Sequence, residues 1–328
     1  MAEEIAEMPD AIRRLAQPEA RAKSMAIGRA LHDLNPGAVV TVARGSSDHA
    51  ATYLSYAIQT VMGVPVASIG PSIHSVYGKE LRMHGLAALA VSQSGGSEDI
   101  SALCRSLSEC GGHVVALTNT QSSALAKTAH QVMDICAGPE LAVAATKSFL
   151  SSIVAGLWVL SDWAGDEDLA QSLQRLPDCM EHEETEEQVW AEFQDVFSSA
   201  RNTVIIARGA SLGLAGEFAL KLIETCAIHA SSYSSAEVLH GPNAMLRDGF
   251  PVIALSTGDP RGMEQALHLL PKQGAHVITL PTRTAANHPL VDPLLHIQPL
   301  YRIAERLSVS RGLDPDNPPH LRKITKTI

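Results

Sequence analysis

The chain has 328 residues, 45% of them hydrophobic and 18% charged, with a formal net charge of −10. That length allows two domains of ordinary size, each burying its own core, and the balance excludes a disordered chain. The acidic charge speaks against a general nucleic-acid binder, whose affinity rests on Lys and Arg neutralising phosphates, but not against a small anionic ligand, because charges more than about 8 Å away are screened.

Residues 1–34 carry good helix formers with apolar residues at helical spacing, which predicts helix. The first ten residues are acidic and lack a basic n-region, so no signal peptide is expected. No apolar run reaches the roughly 20 residues that would cross a bilayer. The five cysteines, Cys104, Cys110, Cys136, Cys179 and Cys226, are scattered and odd in number. That is the pattern of buried thiols in a reducing compartment, and the expected location is the cytoplasm.

From Gly37 onward short apolar runs alternate with helix-length segments. Strands are predicted at 38–42, 65–69, 86–91, 114–117 and 132–135, with helices at 48–62 and 97–111. Such alternation predicts a parallel sheet covered on both faces. A long helix over 146–162 closes this half. The acidic stretch that follows, through Glu181 to Glu187, reads as the solvated face of linking helices. Strands at 203–207, 251–255 and 276–280 form a second half, followed by a helix after Pro299 and a proline-rich tail.

The second half repeats the first. Ala43-Arg44-Gly45-Ser46-Ser47 recurs as Ala207-Arg208-Gly209-Ala210-Ser211 half a chain length later, and Leu89-Ala90-Val91-Ser92 is answered by Ile253-Ala254-Leu255-Ser256 at the same offset. Matched segments in the same order indicate a duplicated domain.

The copies differ where strands end, which is where ligands bind in doubly wound sheets. The first copy has Gly45-Ser46-Ser47 and Ser92-Gln93-Ser94-Gly95-Gly96-Ser97. Glycines and hydroxyls before a helix can hold a phosphate monoester without a lysine. The same residues can equally form a turn with Ser97 as helix N-cap. The second copy has Ser256-Thr257-Gly258-Asp259-Pro260, whose acid and proline disfavour phosphate, so one phosphate site in the first half is expected. It also carries Lys221 and Glu224 on one helix and Glu237-Val238-Leu239-His240-Gly241-Pro242 beyond it. Lys221 and Glu224 fit a surface i,i+3 pair, and His240 fits a turn. Together, the carboxylate and imidazole can also supply a general base and a proton shuttle.

Ser92-Gln93-Ser94-Gly95, Ala137-Gly138-Pro139-Glu140 with Ala145-Thr146-Lys147, the Lys221 to Glu224 helix and His240-Gly241-Pro242 resemble the sugar-isomerase (SIS) superfamily. The likeness is to double-SIS proteins similar to the isomerase half of glutamine–fructose-6-phosphate aminotransferase. It implies two tandem flavodoxin-like domains: a helical arm over 1–34, SIS domain 1 over 35–165, a helical linker over 166–199, SIS domain 2 over 200–310, and a tail over 311–328 that closes the active site. It further implies that Ser46, Ser47, Ser92, Gln93, Ser94 and Ser97 hold a sugar 6-phosphate. Glu224 is then the base moving a proton between C1 and C2, with Lys221 beside it. His240 assists ring opening from a partner subunit, and Lys323 folds over the sugar. Neither metal nor other cofactor is called for, and a homodimer is expected.

Ala145 and Leu239 depart from the serine and lysine common in the family. The chain opens directly on the isomerase-like half, with no cysteine before Cys104, so generation of ammonia from glutamine is not expected and the catabolic direction is. The expectation is a glucosamine-6-phosphate deaminase, with a related deglycase or aldose–ketose isomerase as the alternative. A non-catalytic sugar-phosphate regulator is a third reading, but the acidic first 34 residues do not resemble a DNA-binding helix-turn-helix.

Overall fold

The computed structural model describes residues 1–181, 187–255 and 262–323. Residues 1–34 form three helices rather than one, α1 (Ala2–Ala6), α2 (Met8–Leu15) and α3 (Pro18–Leu34). Pro9 and Pro18 sit in the first turns of α2 and α3, where a missing N–H costs nothing, and Gln17 before Pro18 is extended. Then come β1 (Val39–Val42), α4 (Ser46–Met62), β2 (Val66–Ser68), α5 (Ser72–Ser75), β3 (Ala87–Val91), α6 (Glu98–Glu109), β4 (His113–Thr118), α7 (Ala124–Thr128), β5 (Gln131–Asp134) and α8 (Lys147–Ala164). After α9 (Glu167–Glu181) and α10 (Glu187–Phe197) the second half runs β6 (Asn202–Ala207), α11 (Ser211–Cys226), β7 (His229–Ser234), β8 (Pro251–Ala254), α12 (Glu264–Lys272), β9 (His276–Thr279) and α13 (Ile297–Ser310).

The chain forms two compact units. One holds residues 7–140, 147–177 and the tail from Arg322; the other holds Met1–Ala6, Leu141–Thr146 and Asp178–Leu321. The first contains a five-stranded parallel sheet in the order β2-β1-β3-β4-β5, the second a four-stranded parallel sheet in the order β7-β6-β8-β9. Read as positions, both follow the order second, first, third, fourth. The predicted pair of doubly wound sheets related by duplication is therefore the observed architecture.

The two cores match as well. In the β1–β5 unit Val40, Val42, Ala88, Ala90, Val114 and Ala116 pack against Ile100, Leu103 and Leu107 of α6. In the β6–β9 unit Val204, Ile206, Val252 and Ala254 pack against Ala266 and Leu270 of α12. Helix α8 is apolar nearly all round and buried almost along its whole length, packed by α2, α3 and α4. No helix among the described residues is long and apolar enough to cross a membrane.

Candidate active site

In the order β2-β1-β3-β4-β5 the chain reverses direction of winding between β1 and β3, so the loops leaving these two strands border a crevice at their carboxyl ends. Gly45 leaves β1 with φ +56°, a left-handed value suited to glycine, and α4 starts at Ser46. Ser46 and Ser47 are partly exposed in its first turn. Asp48 follows them, and burial pushes its carboxyl above the usual range.

Ser92 to Ser97 leave β3 as a tight loop. The Ser92 hydroxyl accepts from the Gly95 amide at 3.2 Å, and the Ser94 hydroxyl accepts from the Gly96 amide at 3.3 Å. Gly95 has φ +58°, and a Cβ there would lie 2.2 Å from the Ser123 hydroxyl, so both backbone and space require glycine. Ser97 occupies the N-cap position of α6, yet its side chain makes no capping bond. The structure thus realises the turn without using that hydroxyl for the cap.

A second loop lies within hydrogen-bonded reach of the first. The Asn119 amide donates to the Gln93 carbonyl at 2.9 Å, while its side chain donates to Gly138 at 2.8 Å and accepts from the Ala137 amide at 3.0 Å. Arg14 donates to the carbonyls of Cys136 and Ala137. Two residues beyond Gly138, the Glu140 carboxylate takes the Ser148 amide at 3.0 Å, the Ser148 hydroxyl at 2.6 Å and the Lys323 ammonium at 3.0 Å. Lys323 is therefore held beside the Ala137-Gly138-Pro139-Glu140 segment, with its side chain 27% exposed.

The β6–β9 unit presents the other candidates. Helix α11 carries Glu217, Lys221 and Glu224 on one face, since spacings of four and three residues repeat its turn. Lys221 is fully buried and pairs with Glu224 at 2.5 Å and Glu217 at 3.5 Å. The Tyr301 hydroxyl of α13 donates to Glu217 at 2.8 Å. Glu224 alone reaches solvent, with its side chain 21% exposed. The possibility of a surface Lys221–Glu224 pair is thereby corrected. The pair is anchored inside the unit because α11 is covered by β6, β7 and α13.

His240 is exposed at the end of the 3₁₀ turn Glu237–His240. That turn is fixed by a reciprocal exchange in which the Glu237 amide donates to the Ser234 hydroxyl and the Ser234 amide to the Glu237 carboxylate. Leu239 packs at the edge of the β6–β9 core, and Ala145 is half-buried in the same unit. Ser256, Thr257, Gly258, Asp259 and Pro260 lie outside the described residues.

Two features escaped sequence reading. Glu217 was legible in principle as the first member of a Glu-Lys-Glu face at i, i+4 and i+7. The ion pair between Arg44 and Asp99 was not, because 55 residues separate its partners.

The SIS domain family matches residues 35–161 and 196–286, one stretch in each half. The isomerizing glutamine–fructose-6-phosphate aminotransferase of Pyrobaculum aerophilum is 32% identical over all of this chain and 57% of its own length. The chain spans about half the length of the curated relatives it matches. Among solved structures, a candidate phosphosugar isomerase from Silicibacter pomeroyi aligns with a TM-score of 0.86 and 41% identity, over 96% of this chain and 98% of that one. A glucosamine-6-phosphate deaminase from Thermotoga maritima shares the fold, with a TM-score of 0.74 and 20% identity over 94% of this chain and 100% of that one. The family match covers most of the chain and falls on both repeated sheets: this protein belongs to the SIS domain family.

Proposed function

We propose that this chain is a phosphosugar isomerase whose reaction ends in deamination, converting glucosamine 6-phosphate and water to fructose 6-phosphate and ammonia. The observation that carries the reading is Glu224, a reachable carboxylate fixed by the fully buried Lys221. Moving a proton between neighbouring carbons needs one base that alternates between them without swinging away.

Ser46, Ser47, Ser92, Gln93, Ser94 and Ser97 hold the 6-phosphate in this scheme. His240 assists opening of the sugar ring. Glu224 then removes the C2 proton of the open-chain aldehyde, giving an enolamine, and returns it to C1. The product is a ketimine at C2. Water adds to that carbon, the C–N bond breaks, and ammonia leaves with fructose 6-phosphate. Lys221 and Lys323 supply positive charge toward the enolate-like intermediate, an electrostatic contribution of about 3 kcal/mol for a well-placed donor. No step calls for a metal or other cofactor. His240 acts on the sugar of a partner subunit, so the working form is a homodimer.

The 41% identity to the Silicibacter pomeroyi protein supports a phosphosugar as substrate, and the fold of the Thermotoga maritima deaminase supports the C–N step. The test is release of ammonia from glucosamine 6-phosphate, coupled to detection of fructose 6-phosphate. Equal release of both products, lowered at least about 100-fold in Glu224→Gln, is expected. Saturable binding with no ammonia would remove the deaminase reading. Turnover of a fructosamine 6-phosphate would then mark a deglycase, aldose–ketose exchange an isomerase, and binding alone a regulator.

A further inference from the structure

The loops proposed to take the phosphate are acidic as well as hydroxyl-rich. Residues 44–48 and 92–99 contain Asp48, Glu98 and Asp99, with Arg44 as their single Lys or Arg. Hydroxyls and amides alone would present a phosphate dianion to a surface of net negative charge. Arg44 is the second residue beyond the end of β1, after the buried Ala43, and precedes Gly45-Ser46-Ser47. Its guanidinium crosses to the first turn of α6, donating through Nε at 3.0 Å and Nη2 at 2.5 Å to the same oxygen of Asp99.

The two partners are unequal. Asp99 is 2% exposed and its other oxygen accepts from the Ile100 amide at 2.8 Å, whereas the Arg44 side chain is 46% exposed. A buried carboxylate therefore fixes one edge of the guanidinium, while Nη1 makes no hydrogen bond to the described residues. Such a pinned fork suits an oxyanion, since its orientation is settled before the ligand arrives. The repeat sharpens the point. The second copy keeps an arginine, Arg208, but the position matching Asp99 half a chain later is Met263. An arginine is common to both copies, and an acidic residue at the Asp99 position belongs to the first alone.

We infer that Arg44 is a phosphate-binding residue of this site, reading the phosphoryl group through its exposed edge, with Asp99 as the positioning residue that aims it. The inference rests on the phosphate-site part of the proposed function and not on the deamination step.

Titration calorimetry on the full chain tests it, with fructose 6-phosphate and inorganic phosphate as probes. Arg44→Ala is expected to weaken both about 10- to 100-fold, the range for one charge-assisted hydrogen-bonding contact, and to flatten the dependence of affinity on salt. Arg44→Lys keeps the charge without the fork and should fall between. Asp99→Asn should weaken binding while leaving the salt dependence steep, a separation that a mere brace between loops would not produce. If Arg44→Ala does not fold, the Arg44→Lys and Asp99→Asn comparison carries the test. Affinities within twofold of the parent in the folded Arg44 variants would overturn the inference. A parent that binds neither probe would overturn it together with the phosphate site. Arg44-dependent binding without ammonia release would uphold it and remove only the deaminase reading.

Discussion

At His296 burial and charge act in the same direction. The residue is 1% exposed and its Nε2 has no hydrogen-bond partner among the described residues. It lines a cavity of about 20 Å³ together with Arg283, with room for at most a single water. Burial first, and the neighbouring guanidinium second, push its imidazole down to about 4. In the unfolded chain the same ring titrates near 6.5. Above 6.5 neither state binds the proton and there is no effect. Between 6.5 and 4 the unfolded chain takes it up and the folded one does not, so stability falls as pH falls, by on the order of 3 kcal/mol at pH 4. Urea unfolding at pH 7 and pH 5 checks this. His296→Phe should lose less stability across that interval than the parent, and parallel losses would show that other groups govern the acid limb. Single residues are also where sequence reading stopped short. Glu217 announces itself only by its place on a helix face, and Tyr301, which bonds to it, comes from a helix 84 residues on. Nothing local to either marks the pair, just as nothing local marks Arg44 and Asp99.

Elements were more legible than pairs, for reasons visible in their composition. Strands β1, β3, β4, β6 and β8 lie in largely apolar runs because both faces of a doubly wound sheet are covered, and the edge strand β9, though partly exposed, keeps Val277-Ile278 at its centre. Strand β7 was missed. Its sequence His-Ala-Ser-Ser-Tyr-Ser has no such run, since it is the edge of its sheet and only partly buried. The broken N-terminal helices were signalled by Pro9 and Pro18, whose preference for first turns outweighs the continuous periodicity. Packing between helices leaves a subtler mark. Gly28 lets α3 approach α8 so closely that an added Cβ would stand 2.6 Å from Asp162 Cβ and 2.8 Å from backbone atoms of Asp162 and Trp163. Backbone cannot rotate aside. Gly28→Ala should therefore destabilise by about 1–3 kcal/mol, despite the roughly 1 kcal/mol that alanine gains over glycine in a helix. At Gly156 the atoms in the way are the terminal methyls of Leu54, which can turn, so Gly156→Ala should cost less. Gly37→Ala, with open space around it, should be silent. Thermal unfolding orders the three variants, and a stable Gly28→Ala would show that α3 and α8 can separate freely.

For the whole molecule, the proposed function assigns the two diverged copies different tasks. Both copies keep the sheet order, but hydroxyl loops and the Asp99 anchor belong to the first, while Glu224 and His240 belong to the second. The exposed position of His240, on a turn held by Ser234 and Glu237, suits a group that serves another subunit. Mixing variants tests this reading of the homodimer. A chain with Glu224→Ala still offers a sound His240, and a chain with His240→Ala still offers a sound Glu224. If the histidine acts on its partner's sugar, one site of the mixed dimer combines Glu224 and His240 intact and the other lacks both. Dimers purified through two different tags should then recover about half the parent's ammonia release, as one of two symmetric sites works. If each chain uses its own histidine, both sites lack one group, and the mixed dimer stays as inactive as its parents. The comparison needs only rates, because each single-variant homodimer supplies its own baseline, and recovery above both baselines has no source other than a site shared between chains.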